Sequence, residues 1–260
     1  LIGGELVESG SEIADAFVDG DRLIATTSAG LLLVPKADSE MVASCITKSI
    51  DAFSALGYAT NHQIMSFYEA FARRLKDEVI FNQIREANER NVADAQAKGR
   101  STTRLVLSES MRQDMIDALL IWKELVTSST VRETLNHDGW SIESHVAPLG
   151  VVGFVFEGRP NVFADATGVL RTGNTVVFRI GSDALGTARA ISQYMLTPAL
   201  VAAGLPEKAV VLIDSPTHGA GWALFAHTGL SLAIARGSGK AVAQLGAVAR
   251  QSGIAVSLHG

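Results

Sequence analysis

The sequence has little cysteine and no long apolar run. Cys45 is the single cysteine among 260 residues, so no internal disulfide can form, and this usage fits a reducing compartment. No stretch of 18 or more apolar residues occurs, which predicts that nothing in this sequence spans a membrane. The first residues show neither the basic nor the apolar segment of a signal peptide. We therefore expect a cytoplasmic protein with no membrane partner.

The chain also lacks a strongly basic surface and a metal-binding pattern. Its net charge is −5 and its pI is about 5.7, which argues against nucleic acid as the main partner. The one basic cluster, residues 98–104, is short and is interpreted as a solvated loop. The six histidines have no metal-ligand spacing and there is no cysteine pair, so no metal site is expected.

The hydrophobic periodicity predicts an α/β fold in which helices precede a parallel sheet. Residues 1–40 are difficult to interpret, although two short strands around the Ser28-Ala29-Gly30 turn are predicted between 21 and 35. Residues 41–135 have helical spacing, with helices expected from Ser39 to Gly57, from Asn61, from Ile84 to Ala97 and from near Ser108. Residues 136–147 are predicted to form a strand arm.

In residues 148–260, strands alternate with helices, which indicates a parallel, doubly wound sheet. Thr197 is predicted to cap a helix that begins at Pro198 and ends at Gly204. The strands are expected at 151–156, 175–178, 209–213, 230–234 and 254–258, and the other helices at 163–170, 184–196, 219–226 and 240–250.

The most informative segment is an apolar strand that ends in a polar turn. Residues 151–156 are rich in Val and Phe and indicate a strand buried on both faces, and the turn after them carries Glu157, Arg159 and Asn161. Ligands of open α/β sheets bind at the carboxyl ends of such strands. The Asn161 amide could donate a hydrogen bond to a developing oxyanion, or it could be an ordinary turn residue.

Two further loops follow predicted strands. In the loop 179–183, Asp183 either caps the next helix or accepts hydrogen bonds from ribose hydroxyls, with Arg179 over a phosphate or the adenosine. The loop 235–240 is either a glycine-rich turn with a solvated Lys240 or a contact to a dinucleotide. It is not a P-loop, because Ala241 follows the lysine where Ser or Thr is needed.

Two other residues have side chains that could belong to a site. His259 could be a site residue, although a lone histidine is more often a surface group. Cys45 is predicted to be a buried and inert thiol, because no basic or histidine neighbour lowers its pKa.

Five segments, taken in order, resemble the γ-glutamyl phosphate reductase family, a branch of the aldehyde dehydrogenase superfamily. The segments are ANERNVADAQAKG (87–99), PLGVVGFVFEGRPNV (148–162), TGNTVVFR (172–179), GLP (204–206) and ARGSG (235–239). The sequence departs from the family pattern at Gly158, Ile180 and Ala235, where the reductases usually carry Ser, Gly and Pro.

This resemblance implies an aldehyde-dehydrogenase-like fold, with N-terminal helices followed by a Rossmann-type sheet that carries helices on both faces. It implies NADP-dependent (or NAD-dependent) reduction of an acyl phosphate, such as L-glutamyl 5-phosphate of proline biosynthesis, to the semialdehyde. A cysteine thiolate displaces phosphate to give a thioester, which hydride then reduces. The family's nucleophile lies beyond the strand that ends at His259, so the catalytic domain is expected to lie outside this chain, which alone is expected to be inactive.

The resemblance also assigns site residues and partners. Asn161 is the expected oxyanion donor and Arg159 the expected substrate-binding residue, and a homo-oligomer is expected for the full-length protein. The expected cofactor-binding residues are Glu157, Arg179, Gly181, Ser182, Asp183, Arg236, Gly237 and Ser238.

Two other functions stay open from the sequence. One is a non-catalytic nucleotide-fold scaffold or partner-binding protein, and the other is a reductase or aldehyde dehydrogenase of a specialised biosynthetic pathway. The cofactor hypothesis requires that the bends at 179–183 and 235–240 lie side by side on one rim of the sheet.

Overall fold

The computed structural model describes residues 10–26, 30–125 and 131–260. Short 3₁₀ turns at 168–172, 182–184 and 207–209 and a π-helical turn at 192–196 join some of the regular elements. In chain order these elements are α1 (Ser11–Ala16), β1 (Arg22–Thr26), β2 (Gly30–Val34), α2 (Lys36–Leu56), α3 (Asn61–Lys76), α4 (Glu78–Ala97), α5 (Glu109–Glu124), β3 (Val131–His137), β4 (Trp140–His145), β5 (Val151–Phe156), α6 (Val162–Thr167), β6 (Thr175–Arg179), α7 (Leu185–Ile191), α8 (Thr197–Ala202), β7 (Val210–Leu212), α9 (His218–Phe225), β8 (Leu232–Arg236), α10 (Gly239–Gln251) and β9 (Val256–His259).

A five-stranded parallel sheet in the order β7-β6-β5-β8-β9 is the centre of the fold. Every residue of β5 and β6 is buried, as expected for Val- and Phe-rich strands covered on both faces. The chain moves outward from β5 to β6 and β7, and then returns to place β8 on the other side of β5. The change of direction between β5 and β8 is the topological switch point of the sheet.

The two faces of the sheet pack into separate apolar cores. Phe154, Phe156 and Phe178 point into one core, which is completed by α3–α8. Val155 and Val177, on alternate positions of the same strands, point into the other, which contains residues of β2, α2, α9 and α10. The predicted α/β fold with helices on both faces is therefore confirmed.

α2 covers part of the second face. A hydroxyl pair fixes it there, because Ser49 Oγ donates to Thr175 Oγ1 at 3.0 Å and Thr175 Oγ1 donates to the Ser49 carbonyl at 3.1 Å. The helix starts at Lys36 after Pro35, three residues before the Ser39 start that the sequence predicts, and it therefore continues across residue 40. The division of the chain at that position stays a prediction.

The helices before the sheet end and begin at recognisable caps. Ser108 accepts a hydrogen bond from the Met111 N–H and caps α5, as predicted. α4 begins at Glu78 rather than near Ile84, because the Asp77 carboxylate caps it by accepting from the Val79 and Ile80 N–H groups. The predicted strands between 21 and 35 are confirmed as the antiparallel pair β1–β2, while Ser28 and Ala29 of their turn lie outside the described residues.

Three predictions for the second half need correction. Thr197 is no cap: its backbone is helical (φ −59°, ψ −46°), and the π-helical turn carries the chain from α7 into α8 without a break. Strand β8 starts at Leu232, two residues after the predicted start, because the Leu230 N–H donates to the His227 carbonyl in a turn. Residues 131–135 are not helical but belong to β3, which pairs with β4 in an exposed hairpin.

Within the described residues, no helix combines the length and the hydrophobicity that crossing a membrane requires.

Candidate functional site

The three bends that follow β5, β6 and β8 meet at the carboxyl edge of the sheet. The bend after β5 lies between the other two, because β5 pairs with both neighbouring strands. A Cβ on Gly181 would lie 2.8 Å from the Gly158 backbone nitrogen, which shows how closely two of the bends pack. The Glu157 N–H donates to the Arg236 carbonyl at 3.1 Å and ties the first bend to the third.

These bends surround a cavity of about 420 Å³, called here the main cavity. All eight residues that are expected from the sequence to bind the cofactor line it: Glu157, Arg179, Gly181, Ser182, Asp183, Arg236, Gly237 and Ser238. The bends at 179–183 and 235–240 therefore share one cavity on one rim, as the cofactor hypothesis requires. Arg100 and residues of α9 and α10 complete the wall.

Arg179 is the most unusual side chain of the main cavity. It is buried, and its guanidinium donates to the Pro216 carbonyl at 3.2 Å. Its Nε has no hydrogen-bond partner among the described residues. Burial lowers the pKa of Arg179, while the nearby Asp38 carboxylate opposes that shift. A buried donor without a partner is costly, so this arginine suits a polar or anionic ligand group in the cavity.

Asp183 does not cap a helix. Gly181 occupies the N-cap position of the 3₁₀ turn 182–184, and no side chain caps it. The Asp183 carboxylate instead pairs with Arg100 at 2.5 Å. Arg100 belongs to the basic cluster 98–104, which is exposed as predicted but also reaches over the sheet edge to the site. The sequence does not predict this contact, because the loop and the bend are 83 residues apart in the chain.

α9 supplies a wall that the sequence does not predict either. Thr217 caps this helix, and His218 and Trp222 lie one turn apart with their rings stacked at 6.2 Å between centroids. Burial lowers the pKa of His218, and the positive charge of Arg179 lowers it further. Gly221 lies between them on the cavity side. A Cβ added to Gly221 would make only ordinary contacts of 3.5–3.8 Å with Arg179, Leu245 and Val155, so this glycine marks no close approach.

A second cavity of about 300 Å³ adjoins the first and is called here the arginine cavity. Its charged lining residues are Arg104, Glu157, Arg159, Asp165 and Arg236. Glu157 and Arg236 line both cavities, so the two spaces share a wall. Arg236 pairs with Asp165, and Arg104 Nη1 lies 3.3 Å from Glu157 Oε2.

Asn161, Arg159 and His259 also line the arginine cavity. Asn161 stands at the first position before α6, yet its side chain makes no capping hydrogen bond, so its amide is not used by the helix. The structure therefore brings the predicted oxyanion donor and the predicted substrate-binding arginine to one cavity. His259 Nε2 lies 2.9 Å from Ser257 Oγ.

Cys45 lines neither cavity. It lies on α2, partly buried against the second core, and burial raises the pKa of its thiol despite the nearby Lys48 and Lys208. The raised pKa agrees with an inert thiol, but the stated reason is wrong, since two lysines do lie near Cys45 and its burial is only partial. In the described parts of the chain, no group of three His, Cys, Asp or Glu side chains is arranged to hold a metal ion.

The chain is similar in sequence to known enzymes. No family model matches the chain. It is 36% identical over 175 residues to γ-glutamyl phosphate reductase of Bacillus cereus, covering 64% of this chain and 41% of the relative. It is 34% identical over 209 residues to the enzyme of that name from Nitrobacter winogradskyi, covering 77% and 48%. The resemblance to the γ-glutamyl phosphate reductases is confirmed.

Solved structures extend this similarity to the fold. The γ-glutamyl phosphate reductase of Thermotoga maritima superposes with a TM-score of 0.74 at 27% identity, covering 84% of this chain and 53% of that one. A propionaldehyde dehydrogenase of Rhodopseudomonas palustris, with bound propionyl-CoA, superposes with a TM-score of 0.60 at 16% identity, covering 96% and 48%. The fold is thus that of the aldehyde dehydrogenases. The chain spans about half the length of the curated relatives it matches.

Proposed function

We propose that this chain binds a nicotinamide dinucleotide in the main cavity and forms part of an oxidoreductase that reduces an acyl phosphate to an aldehyde. The observation that carries the proposal is the convergence of eight predicted cofactor residues around one cavity beside the switch point of the sheet. Open α/β sheets bind dinucleotides at that place. The similarity to γ-glutamyl phosphate reductases supports the reaction class.

The residues of the main cavity fit the cofactor. Arg179 brings a positive charge to the cavity wall, which suits a phosphate group, and Trp222 offers an aromatic face. Gly181 and Gly237 let the bends pack closely, because a Cβ at either position would lie 2.8 Å from an atom of Gly158 or Glu157. When bound, a nicotinamide dinucleotide supplies the hydride for reduction.

We infer NADP rather than NAD as the cofactor. A free acidic residue after the second strand favours a ribose 2′-hydroxyl, whereas a neighbouring arginine accommodates a 2′-phosphate. Here the Asp183 carboxylate is paired with Arg100, so an arginine is already present at this corner of the cavity. The Asp183–Arg100 ion pair therefore supports NADP, whose ribose carries the 2′-phosphate, over NAD.

The arginine cavity is the proposed position of the acyl phosphate, with L-glutamyl 5-phosphate as the candidate substrate. Arg159 supplies a positive charge, and the free amide of Asn161 is the proposed donor to the carbonyl oxygen as it becomes an oxyanion. The thioester step needs a cysteine beside this cavity. Cys45 is not there, so we propose that the nucleophile is supplied from outside this sequence.

We also propose a homo-oligomer. The hairpin β3–β4 is exposed along nearly its whole length and presents Leu135, Trp140 and Ile142 to solvent. A two-stranded hairpin is marginal in water without a covering surface, and its exposed apolar side chains suit contact with another copy. Location in the cytoplasm and a place in proline biosynthesis stay predictions.

Fluorescence titration of the 260-residue chain with NADPH and NADH tests the proposal. We expect saturable binding, with NADPH bound more tightly than NADH. Arg100→Gln is expected to reduce the ratio of the two affinities at least about fivefold. The control is Arg90→Gln, an exposed arginine of α4 that lines neither cavity. Absence of binding at millimolar NADPH would instead favour a non-catalytic scaffold. Turnover is measured on the full-length protein with an acyl phosphate.

A further inference from the structure

We propose that Arg104 is an anion-recognition residue of the acyl-phosphate site. When substrate binds, the Arg104 guanidinium exchanges its partner Glu157 for the phosphoryl group, which it binds beside Arg159. The inference rests on the proposed function and adds to it a residue that reaches the site from the loop between α4 and α5.

The backbone around Arg104 is held firmly, although its side chain is exposed. The buried side chain of Asn88 accepts from the Leu107 N–H at 2.8 Å and donates to the Leu105 carbonyl at 2.9 Å. Leu105 itself is buried in the first core. The Arg104 side chain is 67% exposed. A fixed loop thus carries a solvated arginine to the arginine cavity, an arrangement that keeps the cost of ordering the loop on binding small.

The charges of the cavity leave room for an anion. Among the described residues, three arginines and two Asp or Glu side chains line it, and Arg236 is occupied by Asp165. Arg159 forms no side-chain ion pair within the described ranges of the chain. The wall formed by these side chains is therefore net positive, while the chain as a whole carries a net charge of −5. An acyl phosphate is the kind of ligand that this local excess attracts.

The present partner of Arg104 is easily exchanged. The Arg104–Glu157 pair is 3.3 Å long, and its side chains are 67% and 40% exposed, so water screens it and it contributes little. A guanidinium binds a phosphoryl group through two parallel hydrogen bonds, which is a stronger and more directional contact. Substrate binding would then free Glu157, the carboxylate shared by both cavities.

The first test measures binding of inorganic phosphate to the 260-residue chain by calorimetry, in the presence of saturating NADPH. Arg104→Gln is expected to weaken phosphate binding about 10- to 100-fold, with Arg104→Lys in between, and to leave the Kd for NADPH unchanged. Arg90→Gln is the matched control and should behave as the unaltered chain does. In the full-length enzyme, Arg104→Gln is expected to raise KM for the acyl phosphate more than it lowers kcat.

A double-mutant cycle tests the exchange itself. Glu157→Gln should tighten phosphate binding, and this gain should be clearly smaller in the Arg104→Gln background. Equal gains in both backgrounds would show that Glu157 acts only as a repelling charge and would overturn the exchange. If the chain binds NADPH but no phosphate, or if Arg104→Gln has no effect on phosphate, the inference is wrong while the proposed dinucleotide binding stands. Loss of NADPH binding by the unaltered chain would refute the proposed function instead.

Discussion

Replacing Gly181 by alanine should separate the bends that form the main cavity. An added Cβ would lie 2.8 Å from the backbone nitrogen of Gly158 and 3.1 Å from its Cα. These are backbone atoms, so they cannot rotate away as a side chain would. Reaching an ordinary contact distance requires a shift of about 0.7 Å between the two bends. Overpacking of this kind costs about 1–3 kcal/mol, and a loss of about 2 kcal/mol lowers the Tm of a chain of this size by about 4–8 °C.

Two other glycines of the same rim are matched controls. Gly239 begins α10, and a Cβ added to it would meet no neighbouring atom of the described residues within 4 Å. A Cβ on Gly158 would make an ordinary 3.7 Å contact with Ala184. Gly239→Ala should be neutral or stabilising by up to about 1 kcal/mol, and Gly158→Ala should be tolerated.

Urea unfolding followed by tryptophan fluorescence measures the stability of the three variants, and NADPH titration measures their affinity. We expect only Gly181→Ala to lose both stability and cofactor affinity. If Gly181→Ala unfolds at the same urea concentration as Gly239→Ala and binds NADPH equally well, the two bends do not approach each other as closely as the 2.8 Å distance requires.

Three further predictions concern stability and assembly. Arg112→Met should cost about 2–3 kcal/mol in urea unfolding, because this buried guanidinium satisfies a backbone carbonyl and two glutamates. The pKa of His218 is lowered in the folded chain, so as the pH falls the unfolded chain takes up a proton on this histidine before the folded chain does. The free energy of unfolding should therefore fall as the pH drops below about 6.5. His218→Gln should make this pH dependence less steep, and an unchanged pH dependence would contradict the prediction. Trp140→Ser should change monomer stability by less than about 0.5 kcal/mol but weaken self-association in sedimentation of the full-length protein; an unaltered oligomer would exclude the hairpin as the interface.

The sequence predicts β5 well and the first part of β3 poorly, for a physical reason. β5 is found at its predicted bounds, because a strand covered on both faces must be apolar throughout. The first part of β3 is not predicted, because every residue after its first is exposed and no alternation between core and solvent marks it. The π-helical turn before Thr197 keeps ordinary helical dihedrals, so that a cap-like Thr-Pro pair there is misleading.

The candidate site is predictable where it follows strands and not where distant loops reach it. The bends after β5, β6 and β8 are local consequences of strand endings. Arg104 lies at the site because the Asn88 side chain holds the adjacent backbone at Leu105 and Leu107, and Arg100 lies there through its pair with Asp183. Such tertiary contacts have no sequence pattern. The departure from the family at Gly158 is readily accommodated, since that position has room for the Cβ of a serine.

The position of α2 has a practical consequence for anyone who shortens this protein. The helix covers one face of the sheet. Its removal would expose Val177 and leave the Thr175 hydroxyl without its partner on Ser49. Expression variants shortened at the N-terminus should therefore begin ahead of β2, which packs into the same core as α2. Those that start within the helix are expected to aggregate during purification.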